Sequence, residues 1–296
     1  MKHKIFFLLL IAIIFLNSKA NFAEETQTNR FTKIEELTGA KGKFNEKENV
    51  FKVSFPRSDI HAESRGVTIT PPMGLTVWAA FKMMGDHTMM MGDLVLLEDQ
   101  VNPVMSVALD NHLEVTALHN HFFWDSPKVM FMHIGGTDSL ENLAAAVGKV
   151  FAKIKETSNK TVETPNTPID PAKSTLDPQK IEKVLGMKGE MKDGVYKVTV
   201  GRTTSMNGHE MGNAMGVNTW AAFAGSDDQA IVDGDFAVLE SELQDVLKVL
   251  RSENINIVAI HNHMTMESPR IIFLHYWGIG STASLARILK VAFETR

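Results

Sequence analysis

No cysteine occurs anywhere in the 296 residues. Disulfides and thiolate metal sites are therefore excluded, and the chain must be held together by ordinary apolar cores. Basic charge is in short supply as well: 30 Lys and Arg stand against 35 Asp and Glu. That balance argues against a nucleic-acid partner, which would want a basic face. A nucleophile elbow, a phosphate loop and a dinucleotide fingerprint are all missing. The apolar run Ile5–Leu16 has 12 residues, well short of the roughly 20 that span a bilayer.

What that run does have is the setting of an export signal. Met1-Lys2-His3-Lys4 precedes it and Asn17-Ser18-Lys19-Ala20 follows it, the charged, apolar and small-residue parts of a secretory signal peptide. Residues 1–20 are read as that signal, cleaved after Ala20 with Ala23 as a second choice, and an uncleaved membrane anchor is the competing reading. The mature chain then carries 27 basic side chains against 35 acidic, a formal charge of −8. The expectation is an exported protein, periplasmic or secreted, with no stable membrane insertion after cleavage.

One phrase occurs twice. Residues 117–133 read ALHNHFFWDSPKVMFMH and residues 259–275 read AIHNHMTMESPRIIFLH. From Gly74/Gly216 to Gly136/Gly278 the two halves align without a gap at an offset of 142, with 21 identities over 63 positions. This is an internal duplication. Residues 27–155 are expected to form a first repeat and residues 179–296 a second, joined by a solvated polar linker at 156–178 that holds four prolines and no apolar period. Alternating runs such as Val50–Phe55, Thr76–Phe81 and Thr88–Leu97 predict strands. Stripes such as Leu143, Val147, Phe151 with Leu285, Leu289, Phe293 predict helices. The fold class is α+β: two tandem pseudo-symmetric repeats, each a mixed or antiparallel sheet with two packed helices. A bicupin-like double barrel is the alternative.

Six of the eleven histidines lie in the two phrases. Histidine, any residue, histidine on a strand puts two imidazoles on one face, within reach of one divalent ion, zinc or another transition metal. His119, His121 and His133, with His261, His263 and His275, are the candidate ligands. Asp125 and Glu267, in the turns between the histidine strands, are candidate catalytic bases or second-shell orienters. A plain hairpin with the turn at 122–126 would leave His133 roughly 20 Å from His121. Either the two strands are then not direct partners, or the turn carboxylate is the ligand nearest the pair; the three-histidine arrangement is favoured, because His133 and His275 recur inside otherwise apolar strands. Asn120 and Asn262 face the other way and are expected to tie down the adjacent turn. Trp78 and Trp220 are expected in the core, or as a wall of the histidine pocket. Gly92-Asp93 and Gly234-Asp235 resemble a bulge or turn, Glu98 and Glu240 lie where a strand passes into a helix, and these acids are further candidates for the site, ranked after the histidines. The methionines around His87 are read as packing.

Met91–Leu96, Asn102–Met105, Val115–His121 and Ser126–His133 together resemble the LppY/LpqO family of exported bacterial proteins, over both halves of the mature chain. The resemblance implies an exported two-repeat protein and little about chemistry. This chain lacks the cysteine that carries lipid in the lipoprotein members, which implies a soluble form. Three functions are compatible with the pattern. One is a divalent-metal site in each half that supports metal-assisted hydrolysis. Another is a non-catalytic module for a small-molecule or cell-envelope ligand. The third is a structural duplication with satisfied core histidines.

Overall fold

The computed structural model describes residues 27–85, 87–158 and 166–296; residues 1–20, read above as an export signal, lie outside them. The first repeat runs α1 (27–38), β1 (Gly42–Asn45), β2 (Val50–Pro56), β3 (Thr76–Met84), β4 (His87–Leu97), α2 (Glu98–Asp110), β5 (Glu114–Asn120), β6 (Val129–Asp138) and α3 (Leu140–Thr157). The second repeats this order: α4 (Pro178–Leu185), β7 (Glu190–Lys192), β8 (Val195–Gly201), β9 (Asn218–Gly225), β10 (Ala230–Leu239), α5 (Leu243–Ser252), β11 (Asn256–His261), β12 (Ile271–Gly280) and α6 (Thr282–Thr295). The α+β class and the tandem repeats hold. Each repeat has three helices rather than two, because the short segments at 27–38 and 178–185 are helical as well.

All twelve strands join one antiparallel sheet, in the order β1-β2-β3-β4-β6-β5-β11-β12-β10-β9-β8-β7. This order reads the same from either edge. A pseudo-twofold axis therefore passes between β5 and β11, which pair through Leu118 and Ile260. The sheet is open at both edges, so it is not the double barrel. Its helices lie on one face. Leu143, Val147, Val150, Phe151 and Ile154 of α3 are buried there against Phe81, Met90 and Leu94 of the sheet. Each such side chain contributes about 1.5–3 kcal/mol by leaving water.

Both central strands carry a bulge at the same place, between Val115 and Ala117 and between Ile257 and Ala259. The extra residue changes the alternation, so that Val115 and Ile257 face the helices while Ala117, His119, Ala259 and His261 face the open side. A bulge leaves backbone groups out of the ladder, and here each repeat satisfies the other's. The Val115 N–H donates to Gln244 Oε1 at 2.9 Å, and Gln244 Nε2 donates to the Val115 carbonyl at 3.0 Å. Reciprocally, the Ile257 N–H donates to Asn102 Oδ1 at 2.8 Å and Asn102 Nδ2 donates to the Ile257 carbonyl at 3.3 Å. The two repeats are thus bound through one sheet and through two exchanged amide side chains.

The open face is partly framed by shorter strands absent from the sequence expectation. Glu63–Ser64 pairs with Val67–Thr68 and with Asp125–Ser126 in the first half, and Thr204–Met206 pairs with His209–Met211 in the second. The expected linker is only partly free of structure among the described residues. Its end docks on the sheet, where the Thr175 N–H donates to the Gly225 carbonyl at 2.7 Å and Leu176 is buried. No helix among the described residues is long and apolar enough to cross a membrane.

Candidate functional site

The strands β5 and β6 are direct partners, yet the three histidines of the first repeat meet. Their register sets His119 opposite Phe131 and Ala117 opposite His133. His119 and His133 are therefore diagonal neighbours on one face, at a spacing that long side chains bridge. The hairpin expectation failed because it measured distance from the turn, whereas the ladder register decides which residues face each other. His119 Nε2 lies 3.1 Å from His133 Nε2. His121 stands beyond the end of the strand and folds back flat over Phe131, ring centroids 3.6 Å apart, with His119 5.3 Å from His121 and 6.3 Å from Phe131.

The second repeat builds the same group. His263 lies over Phe273 at 3.4 Å, and His261 sits 5.0 Å from His263 and 4.7 Å from His275 between centroids. The close nitrogen pair here is His261 Nε2 and His263 Nε2, at 3.1 Å. All six rings are partly open to solvent. The closest partner of an imidazole nitrogen is another imidazole in both repeats, and His119 Nδ1 also lies 3.3 Å from the Asn120 carbonyl oxygen.

The register then brings in an acid from the next strand. Asp93 pairs with His133 and with Trp78, and Asp235 pairs with His275 and with Trp220. Asp235 Oδ2 is 3.7 Å from His263 Nε2 and Asp235 Oδ1 is 3.8 Å from His275 Nδ1. Both separations are too long for hydrogen bonds. Asp93 Oδ1, Asp235 Oδ1 and His261 Nδ1 are buried with no hydrogen-bond partner. Burial pushes the Asp93 carboxyl up and takes Asp235 to about 6, while it pushes His121 and His263 down and His261 to about 4. Two orphaned carboxylate oxygens at equivalent positions mark a place where a charge partner belongs. Gly92 and Gly234, before these acids, lie within straight, regularly paired strands rather than a bulge or turn. A Cβ at Gly92 would stand 2.9 Å from the Trp78 carbonyl oxygen, and one at Gly234 would stand 2.2 Å from the Tyr276 hydroxyl.

Asp125 and Glu267 belong to the loops instead. The Asp125 carboxylate accepts from the Val129 N–H at 2.8 Å and pairs with Lys128 at 3.2 Å. Glu267 accepts from the Ile271 N–H at 3.3 Å. Each closes its own turn, and the following Ser-Pro bond is cis in both repeats. Asn120 ties the same turn, donating to the Phe122 carbonyl at 2.7 Å. Glu98 and Glu240 are exposed at their helix starts, with Glu240 3.5 Å from Arg270. Trp78 and Trp220 lie on the open face, each roofed by a lysine, Lys52 at 3.8 Å and Lys197 at 4.0 Å from the ring centre. Of the methionines, Met90 is buried, while Met84, Met89 and Met91 are exposed.

The acids were within reach of the sequence, since Asp93 and Asp235 recur at the same offset as the histidines. Choosing them over Glu98 and Glu240 needed the register of a strand some 40 residues away from its partner.

A family of proteins described as Domain of Unknown Function (DUF1259) matches residues 32–153 and again residues 179–295. The chain belongs to this family. The two matches coincide with the two repeats, so the family domain is one α+β unit and this chain holds a pair. Comparison with curated proteins gives no match. Among solved structures, a trimeric bacterial microcompartment shell protein, PduB, aligns over 86% of this chain and 89% of its own at 10% identity and a TM-score of 0.18. A score that low carries no argument about fold or function.

Proposed function

We propose that each repeat binds one divalent transition-metal ion on the open face of the sheet, through His119, His121, His133 and Asp93 in the first and His261, His263, His275 and Asp235 in the second. The observation that carries this is the orphaned, buried carboxylate oxygen beside three imidazoles, present in both copies. The spacing supports it. Two ligands on a tetrahedral ion with bonds of about 2.0–2.1 Å lie roughly 3.4 Å apart, and the observed nitrogen pairs and nitrogen–oxygen pairs span 3.1 to 3.8 Å. Among the described residues no group of three or more such side chains is already placed to hold a metal ion. Rotation of the partly exposed imidazoles toward the buried carboxylates would have to complete each site. The donor chemistry, imidazole with one carboxylate, suits zinc, nickel, cobalt, iron or manganese.

Such an ion would be able to polarise a carbonyl or phosphoryl oxygen, or to activate a water. Asp125 and Glu267 are held in their loops, so the present geometry supports metal binding and ligand capture more directly than hydrolysis. The leader-like residues 1–20 support the further proposal that the chain works after export, where a mature mass beginning at Asn21 is the check.

The deciding measurement is elemental analysis of the full mature chain, free of any affinity tag and equilibrated with zinc, nickel or manganese. Two equivalents per chain are expected. Fewer than 0.2 equivalents, or uptake unchanged when all six histidines are replaced by glutamine in a chain that still folds, would falsify the proposal.

A further inference from the structure

We infer that the two sites act as one receptor for a single elongated dianion, with a carboxylate or phosphate at each end and one end on each metal. This rests on the metal reading above.

The two clusters share a face and a border. An antiparallel register through Leu118 and Ile260 sets His119 beside Ala259 and His261 beside Ala117. The imidazoles of the first cluster straddle β6 and β5 and those of the second straddle β11 and β12, with Asp93 and Asp235 one strand farther out on β4 and β10. Their centres are therefore a little over two strand spacings apart, roughly 10–12 Å. Metals that share one bridging atom sit about 3.5–4 Å apart, so these two would not. A small molecule with two anionic ends spans the gap.

The ground between them is low. Ala117 and Ala259 flank the pseudo-twofold axis, alanine in both repeats and only half buried. Larger side chains at these two places would stand as a wall between the clusters. His119, His133 and Asp93, with His261, His275 and Asp235, rise from the sheet, so an ion that expands from four- to five-coordination takes its added ligand on the side away from the sheet. Charge favours an anion: two divalent ions outweigh Asp93, Asp235 and the neighbouring Asp233. The tryptophan faces at either flank are covered by Lys52 and Lys197. They offer cationic rims rather than stacking platforms for a sugar.

The test is calorimetric titration of the zinc-loaded full chain with linear dicarboxylates from malonate to sebacate, and with acetate as the one-ended control. One dicarboxylate should bind per chain, with affinity peaking at a chain of about five to eight carbons, the length that fits between ions two strands apart. The gain over acetate should be at least tenfold, since tethering the second end raises its effective concentration. In the double variant His119→Gln/His133→Gln the chain should keep one metal and fall to the acetate level. In Ala117→Leu/Ala259→Leu it should keep both metals and lose the length optimum. Two dicarboxylates per chain, no dependence on length, or a gain that survives loss of one metal overturns this inference and leaves the metal sites standing. A chain that takes up no metal overturns both.

Discussion

The two histidine clusters were copied from one, and they now differ in how their acid is held. Asp235 is 3% exposed and approaches two imidazoles, with Asp233 next to it on the same face. Asp93 is less buried, has Met91 in the place of Asp233, and feels Lys52. The closest nitrogen pair differs as well, His119 with His133 in the first repeat and His261 with His263 in the second. A duplication preserves ligands, while the neighbours that set their strength drift. A site of lower dielectric with a second carboxylate attracts a cation more strongly.

The largest effect should separate the two sites outright. His119→Gln/His133→Gln and His261→Gln/His275→Gln should each reduce the metal content from two equivalents to one. The site that survives in the first variant should bind at least tenfold more tightly than the one that survives in the second. Equal dissociation constants by competitive chelator titration would end the comparison.

Next in size is the exchange of amides across the axis. Gln244→Ala strips the buried Val115 backbone of two partners, and Asn102→Ala does the same to Ile257. Each should lower unfolding free energy by about 1–3 kcal/mol, read by urea denaturation. Gln244 should cost more, because its two bonds are both near 3.0 Å whereas one of Asn102's is 3.3 Å. A loss confined to one repeat, seen as two separate transitions, would show that the repeats fold independently despite their shared sheet.

A smaller effect sharpens the source of the asymmetry. Asp233→Met gives the second repeat the residue of the first, and its metal affinity should drop severalfold toward the first site's. No change would move the cause to the deeper burial of Asp235.

The smallest concerns a latch at the strand-to-helix turn. Arg57 is fully buried, donates to Gln100 Oε1 at 3.0 Å and to Asp59, and bonds the Val95 carbonyl. Arg202 makes the equivalent grip on the Ala237 carbonyl at 3.0 Å and on Glu242 at 2.7 Å. At the position of Gln100 the second repeat has a titratable group. Burial raises the Glu242 carboxyl, but the Arg202 bond and the Leu239 N–H outweigh it and hold it below its ordinary 4.5. A depressed carboxyl contributes stability above about pH 4.5 that is lost as pH falls through its folded value. The stability gap between wild type and Glu242→Gln should therefore be widest at pH 7 and narrow as pH falls below 4.5. A gap that stays constant with pH would mean that Arg202 serves only through packing.

Much of this architecture was legible in the chain. The repeat, the strand and helix order and the six histidines follow from periodicity and from an offset of 142. The latch was not. Arg57 and Arg202 are 145 residues apart, outside the gap-free alignment, because the excursions after β2 and β8 differ in length. The interrepeat amides were equally hidden, since Asn102 and Gln244 differ in type and their partners lie in the other repeat.

The candidate imidazoles and acids can be read from the chain alone, because their retention in two copies is a local property. Their grouping is a product of the fold. Which acid meets the histidines depends on ladder register between strands far apart in the chain. That two clusters share one face depends on a bulge that shifts alternation and on a single sheet closing across the axis. Such pairings are fixed by the burial of a common apolar face, which no one segment contains.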